Sequence, residues 1–324
     1  MSEVIVYGAG AWGTALAIHA ARLGHGVTLW ARDAARAEEM QRARVNARLL
    51  PGAPFPDALR VTHDLTPQGA ALGVLAVPMQ PLRAVLARLP RGLPPLLLVC
   101  KGLEADTLRL PLEVLAEARP DLAGGILSGP NFAHEVAAGL PAASVVAARD
   151  PALVTTAQGL LSGQALRLYG SEDVLGVQLG GAAKNVLAIA AGISTGAGLG
   201  ENARAALITR GLAELSRLVI GLGGRAETAA GLSGLGDLIL TAMGHSSRNA
   251  SLGFALGRGM TLPQALAGRA GVTEGIATAP ALLERARAAG VELPICAAVV
   301  AVLEGRLDVQ GALAALMARP LRGE

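Results

Sequence analysis

The chain has 324 residues, 52% of them hydrophobic and 16% charged, with a net charge of +3. That length and composition exclude a disordered chain and provide for two folded domains with a large core. Its arginines are scattered and its rings are few (three Phe, two Trp, two Tyr), so there is no basic stripe with stacking side chains and nucleic acid is not an expected partner.

The first element is a strand over Val4–Tyr7, followed by a helix over Gly13–Leu23 and a second strand over Val27–Trp30. Between strand and helix, Gly8, Gly10 and Gly13 are spaced as G-x-G-x-x-G. Gly8 permits a tight turn, Gly10 lets a pyrophosphate approach the backbone, and Gly13 lets the helix sit close to the sheet. Dinucleotide binding is therefore expected. At the end of the second strand, the position of a ribose-binding acid holds Ala31, and Arg32 follows; an arginine there can pair with a 2′-phosphate. NADPH is the expected cofactor, with NADH as the alternative.

Further strands are expected over Leu72–Val77, Leu96–Val99, Gly125–Leu127, Ala143–Val146 and Arg167–Tyr169. Helices are expected over Asp33–Val45, Gln80–Leu89, Pro111–Ala118, Phe132–Ala138 and Pro151–Leu161. Continuous aliphatic strands alternating with helices predict a parallel sheet covered on both faces. From Glu172 the strand signal stops, and Ala/Leu/Gly-rich stretches read as closely packed helices. The expected fold is thus α/β: a Rossmann-type dinucleotide-binding domain, residues 1–175, then an all-α substrate-binding domain, residues 176–324.

Two residues in this chain break its own habit. Of 28 Lys plus Arg, only Lys101 and Lys184 are lysine. Lys101 ends the apolar run LLLVC, at the carboxyl end of a strand, where open α/β sheets bind ligands. The loops after the other strands, among them SGPNFAHEVA from Ser128, face the same way; there Gly129 sharpens a turn and Asn131 can cap the helix. Lys184 sits within QLGGAAKNVLAIAAG, with Gly180, Gly181, Leu187 and Ala188 at helical steps and no local charge to pair with. A desolvated lysine can lose its proton where arginine cannot, which suits proton transfer at a hydroxyl or carbonyl. Arg248, between Ser247 and Asn249, supplies directional donors for a phosphate. Asp237, after the turn GLSGLG, reads equally well as a helix cap or a substrate contact. The five histidines show no metal-ligand spacing, so no metal is expected and His19, His25, His63, His134 and His245 read as structural or exposed.

Taken together, GAGAWGTALA, SGPNFAHEVAAGLP, GVQLGGAAKNVLAIAAG, NARAALITRGLAE, GLSGLGDLILT, SSRN and GVTEG, in that order, resemble the bacterial-type NAD(P)-dependent glycerol-3-phosphate dehydrogenases over nearly the whole length. The resemblance implies reversible hydride transfer between NAD(P)H and dihydroxyacetone phosphate, giving sn-glycerol 3-phosphate for phospholipid synthesis. It implies Lys184 as proton acceptor, with Lys101 and Asp237 beside it in catalysis, and Lys101 touching both cofactor and substrate. It further implies Gly129, Asn131, Asp237, Ser247, Arg248 and Asn249 as substrate contacts. Ala11, Trp12, Arg32, Ala133, Arg248, Val272 and Glu274 join the three glycines as cofactor contacts, and the expected assembly is a homodimer. A β-hydroxyacid dehydrogenase, in which a Lys–Asn pair also works, and a non-catalytic dinucleotide sensor are the alternatives. The opening MSEVIVYGAG carries Glu3 and no basic cluster, and the uncharged run Leu65–Leu82 is broken by Pro67, Pro78 and Pro81. Neither a targeting segment nor membrane insertion is expected. Cys100 and Cys296, both in apolar runs, read as buried thiols, and the expected location is cytoplasmic.

Overall fold

A computed structural model describes residues 2–65, 69–244, 246–269 and 271–320; the expectation for His245 lies outside the described residues. The chain divides into two compact units. The first comprises Met1–Lys101 and Leu110–Val177, and the second Gly102–Arg109 and Gln178–Glu324.

In the first unit the elements are β1 (Glu3–Tyr7), α1 (Ala11–Arg22), β2 (Gly26–Trp30), α2 (Ala34–Ala43), β3 (Val45–Asn46), β4 (Leu50–Pro54), β5 (Leu59–Thr62) and β6 (Leu72–Leu75). They continue with α3 (Leu82–Arg88), β7 (Leu96–Leu98), α4 (Pro111–Ala118), β8 (Gly124–Ser128), α5 (Ala133–Ala138), β9 (Ala142–Ala148), α6 (Pro151–Leu161) and β10 (Leu166–Ser171). Eight strands form one sheet in the order β10-β9-β8-β7-β6-β1-β2-β5, and β3 and β4 pair as a separate hairpin.

Alternation along β1 shows why the sheet is two-sided. Val4 and Val6 face one core layer with Leu16 and Ile18 of α1. Ile5 and Tyr7 face another, with Leu82 and Leu86 of α3 and Val114 and Leu115 of α4. Both faces are dry, so the strands carry hydrophobic residues without a polar alternate.

Three features differ from the sequence expectation. β5 pairs with β2 from Val27↔Leu59 to Trp30↔Thr62, yet its four residues include exposed Arg60 and too short an apolar signal to be noticed. The β3–β4 hairpin was likewise unforeseen. Third, β9 runs antiparallel to β8, with Ser128 opposite Val145. The reason is the short connection. The six residues of α5 rise only about 9 Å, less than the roughly 17 Å length of β8, so the chain does not travel back to the amino ends of the strands before β9 begins. Gly139 ends α5 in the left-handed region at φ 78° and turns the chain straight into β9.

After Ser171 no strand occurs among the described residues. The helices are α7 (Val174–Gly196), α8 (Gly200–Gly221), α9 (Ala226–Ala230), a π-helical turn (Leu232–Gly236), α10 (Asp237–Met243), α11 (Arg248–Gly257), α12 (Leu262–Leu266), α13 (Glu274–Ala288), α14 (Pro294–Leu303) and α15 (Val309–Met317). α7 is long and apolar enough to cross a membrane by length and composition, but 83% of its apolar window is buried inside the protein. It packs as a core helix: Gly192 lies against the Ala250 carbonyl and Gly196 against that of Phe254, so α7 and α11 touch backbone to backbone.

Candidate active site

In the first unit, β1 lies where the strand order reverses, with β2 and β5 on one side and β6, β7 and β8 on the other. The carboxyl ends of strands at such a point bound a ligand crevice. Gly8 leaves β1 at φ 120°, and a Cβ there would stand 2.4 Å from the Ala76 carbonyl oxygen. A Cβ on Gly13 would stand 2.0 Å from the Gly8 oxygen. Only hydrogen fits at both. Gly10 differs: nothing lies within 4 Å of its would-be Cβ, so that face of the loop is open. Gly10 also leads α1 with no side-chain cap, so the amides of Ala11 and Trp12 present unpaired N–H groups and the positive end of the helix dipole. An open glycine cradle and an uncapped helix N-terminus are what a dinucleotide pyrophosphate requires.

Arg32 is exposed just past β2, after buried Ala31. Asp33 caps α2, accepting from the Arg36 amide at 2.8 Å. Past β7, Lys101 Nζ donates to the Gly129 carbonyl at 3.1 Å, so the loops after β7 and β8 are tied together. Gly129 adopts φ 149°, and a Cβ there would meet Ser144 Cα at 2.9 Å. The Asn131 amide nitrogen donates to Ser144 Oγ at 2.6 Å and to the Ala143 carbonyl at 3.2 Å, fastening the loop to β9. This leaves Asn131 Oδ1, and nearby Ser128 Oγ, buried without a hydrogen-bond partner among the described residues. Such atoms are costly unless a ligand or an ordered water satisfies them. Ala133 opens α5, whose cap position, Phe132, offers no side-chain acceptor.

In the second unit, Lys184 is 9% exposed and Asp237 only 1%. Lys184 Nζ donates to Asp237 Oδ1 at 2.9 Å and to Thr241 Oγ1 at 2.8 Å, and Thr241 in turn donates to Asp237 Oδ1 at 3.3 Å. The small residues before Lys184 now have a purpose. A Cβ on Gly180 would lie 2.6 Å from the Ser233 carbonyl oxygen, so the backbone of α7 rests directly on the π-helical turn, one helical turn before Lys184. That turn ends at Asp237. Close backbone approach is what lets a lysine on α7 reach a carboxylate 53 residues away in sequence.

Asn185 diverges from its neighbour. Its Oδ1 accepts from Asn249 Nδ2 at 2.8 Å, and Asn249 Oδ1 accepts from the Gly275 amide at 3.0 Å. These two bonds join α7 to the N-termini of α11 and α13. Ser247 caps α11, accepting from the Ala250 amide at 3.1 Å. Arg248 is exposed at the first position of α11 with its guanidinium over Gly271, where a Cβ would come within 2.5 Å of Nη1. Val272, 44% exposed, and Glu274, first residue of α13, stand next to that contact.

The expected residues therefore fall into clusters. Gly8, Gly10, Ala11, Trp12 and Gly13 form one, and Lys101, Gly129, Asn131 and Ala133 a second. Lys184 with Asp237 forms a third, and Ser247, Arg248, Asn249, Val272 and Glu274 a fourth. Arg32 stands alone at the end of β2. The sequence reading missed two members. Thr241 lies one helical turn after Asp237 and showed no signal of its own; Asn185 was conspicuous beside Lys184 but had no visible partner. Asp237 does not act as the α10 cap, a position held by Gly236.

Two family models match the chain: NAD-dependent glycerol-3-phosphate dehydrogenase N-terminus over residues 3–154 and C-terminus over residues 173–314. It is 51% identical to a protein of Leptothrix cholodnii named glycerol-3-phosphate dehydrogenase (NAD(P)+), over 99% of each chain. It is also 51% identical to the protein of that name from Methylibium petroleiphilum, over 99% of this chain and 98% of that one. Among solved structures, a glycerol-3-phosphate dehydrogenase from Coxiella burnetii superposes with a TM-score of 0.93 at 39% identity, covering 98% of this chain and 99% of the other.

Proposed function

The chain belongs to the NAD-dependent glycerol-3-phosphate dehydrogenase family, and from that membership we propose that it interconverts dihydroxyacetone phosphate and sn-glycerol 3-phosphate with NAD(P)H, with Lys184 as the proton-transfer group. NAD(P)H, when bound, supplies the hydride. Gly8, Gly10, Ala11, Trp12 and Gly13 would hold its pyrophosphate, through the open loop and uncapped helix described above.

The observation that carries the reading is the Lys184–Asp237–Thr241 contact. A buried ammonium placed beside a carboxylate and a hydroxyl is aimed and desolvated at once. In the reducing direction Lys184 hands a proton to the carbonyl oxygen as negative charge develops there; in the oxidising direction it takes the hydroxyl proton back. Asp237 balances the ammonium, and Thr241 fixes the direction of Nζ. A phosphate monoester dianion suits Arg248 at the N-terminus of α11, where guanidinium and helix dipole act together. Asn249, held at both ends of its carboxamide, lines that position rigidly. Substrate contact by Lys101, Gly129 and Asn131 belongs to the same proposal, and the unsatisfied Asn131 Oδ1 supports it as an acceptor for a substrate hydroxyl. A product directed to glycerophospholipid synthesis, a cytoplasmic location and a homodimeric assembly complete the reading; the two buried cysteines, neither in a disulfide, support a reducing compartment.

The test is Lys184→Met. Turnover of dihydroxyacetone phosphate should fall by about three orders of magnitude, within the range for loss of a general acid–base, while dinucleotide affinity stays near that of the parent. Undiminished turnover would overturn the assignment.

A further inference from the structure

We infer that Asn46, on the two-residue strand β3, is a positioning residue for cofactor binding: it fixes the Ala9–Gly10 peptide of the glycine turn in the orientation that a dinucleotide pyrophosphate needs. The inference rests on the dinucleotide-binding reading above and adds to it a residue outside the turn, the first helix and the main sheet.

The turn is held at its two ends by the elements it joins. The Gly8 amide donates to the Trp30 carbonyl of β2 at 3.0 Å, and the Gly10 carbonyl accepts from the Thr14 amide of α1 at 2.9 Å. The peptide between Ala9 and Gly10 is held from elsewhere. Its carbonyl accepts from Asn46 Nδ2 at 3.1 Å and from Arg36 Nη2 at 2.8 Å, so both lone pairs of the oxygen are engaged. A peptide is planar and here trans, which puts its C=O and N–H on opposite edges. An oxygen turned toward the β3–β4 hairpin therefore turns the Gly10 N–H away from it. Backbone N–H groups are what a pyrophosphate binds at such a turn. Turned over, the same peptide would present its oxygen where the N–H stands, and two negative groups would meet.

Asn46 uses all of its carboxamide. One Nδ2 hydrogen goes to Ala9 and the other to Thr14 Oγ1 at 2.8 Å, while Oδ1 accepts from Arg36 Nη2 at 3.2 Å. The side chain is only 1% exposed, and Thr14 is fully buried. A buried amide with every polar atom satisfied has one orientation, and it passes that orientation to the turn. Aspartate keeps the shape but brings no hydrogen to the Ala9 oxygen; leucine keeps the size and brings no polar atom. The hairpin, which pairs with no strand of the main sheet, thereby acquires a purpose: it carries Asn46 to a carbonyl 37 residues away in sequence.

Equilibrium titration of NADPH and of NADH into the parent, Asn46→Asp and Asn46→Leu tests this, alongside steady-state kinetics. Both substitutions should weaken both dinucleotides by the same factor, about tenfold, the scale of one or two lost hydrogen bonds. The KM for the dinucleotide should rise to match, while kcat and the KM for dihydroxyacetone phosphate stay within about twofold of the parent. A role in folding alone would lower the melting temperature and leave the dinucleotide affinity of the folded protein unchanged. Should both buried substitutions prevent folding, Arg36→Met, on a partly exposed position of α2, removes the second donor to the same carbonyl and should weaken NADH by about threefold. Unchanged dinucleotide affinity in Asn46→Asp, a loss confined to NADPH, or a fall in kcat without one in affinity overturns the inference, as does an unchanged NADH affinity in Arg36→Met. The titrations need no turnover, so failure of both dinucleotides to reduce dihydroxyacetone phosphate would overturn the function reading while the binding data still decide the role of Asn46.

Discussion

A buried ammonium is held only where its hydrogens find acceptors, and Lys184 finds Asp237 and Thr241 on successive turns of α10. The two partners differ in what they contribute. Asp237 supplies charge, and its loss would leave an uncompensated cation in a dry site. Thr241 supplies direction only. Thr241→Val, which keeps the shape and removes the hydroxyl, should lower kcat about tenfold with little change in KM, the scale of one hydrogen bond in the catalytic arrangement. A KM rise without a kcat loss would show that Thr241 serves binding. The burial of Lys184 was legible in the sequence because arginine takes nearly every other cationic position, and this lysine stands among glycine, alanine and aliphatic residues. Thr241 was not legible: a threonine inside an apolar helix looks the same whether it packs or positions.

At the scale of elements, the site depends on one departure from α-helical geometry. The five-residue π-helical turn Leu232–Gly236 precedes Asp237, and Gly180 of α7 presses on its Ser233 carbonyl. Gly180→Val should force the two apart. We expect a loss of about 1–3 kcal/mol of stability from overpacking and a kcat loss larger than that of Thr241→Val, checked by denaturant titration and steady-state kinetics. A second elemental device sits on α14. Glu214 of α8, 3% exposed, accepts from the Ile295 and Cys296 amides at 2.6 and 3.3 Å and so caps that helix from a neighbour. Burial raises its carboxyl from an ordinary 4.5 to about 7, against the lowering effects of those amides and of Arg217. The folded chain thus holds this proton more tightly than the unfolded one. The associated stability is full below about pH 4.5 and is lost as pH rises through 7. Melting curves at pH 5 and pH 8 should show a larger decline for the parent than for Glu214→Gln; parallel declines would refute the linkage. Seven of the eight strands of the central sheet were readable from apolar runs. β5 and the β3–β4 hairpin were not, because a short strand at the sheet edge and a two-residue strand carry too few apolar residues to stand out.

For the molecule as a whole, the change from strands to helices at Glu172 was plain in the sequence, since parallel strands and close-packed helices demand different residues. The membership of Gly102–Arg109 in the helical unit was not. That segment is tied there by contacts distant in sequence, such as the bond from Arg285 Nη1 to the Leu108 carbonyl at 2.9 Å, which leave no local pattern. Each unit shelters one thiol, Cys100 at 6% and Cys296 at 2% exposure. Burial also pushes the Cys296 thiol up, away from its reactive thiolate form. A thiol-specific reagent should therefore titrate neither cysteine in the native protein and both after denaturation; a fast-reacting native thiol would contradict this packing.

The scarcity of lysine carries a practical consequence. The only two ε-amines of the chain stand at the two positions described, one bonded to the Gly129 carbonyl and one enclosed by Asp237 and Thr241. Lysine supplied with a nitrogen isotope would label just these two side-chain amines and leave in place the hydrogens that Nζ donates. Protonation of Lys184 could then be followed by magnetic resonance, with Lys101 as the one other side-chain amine.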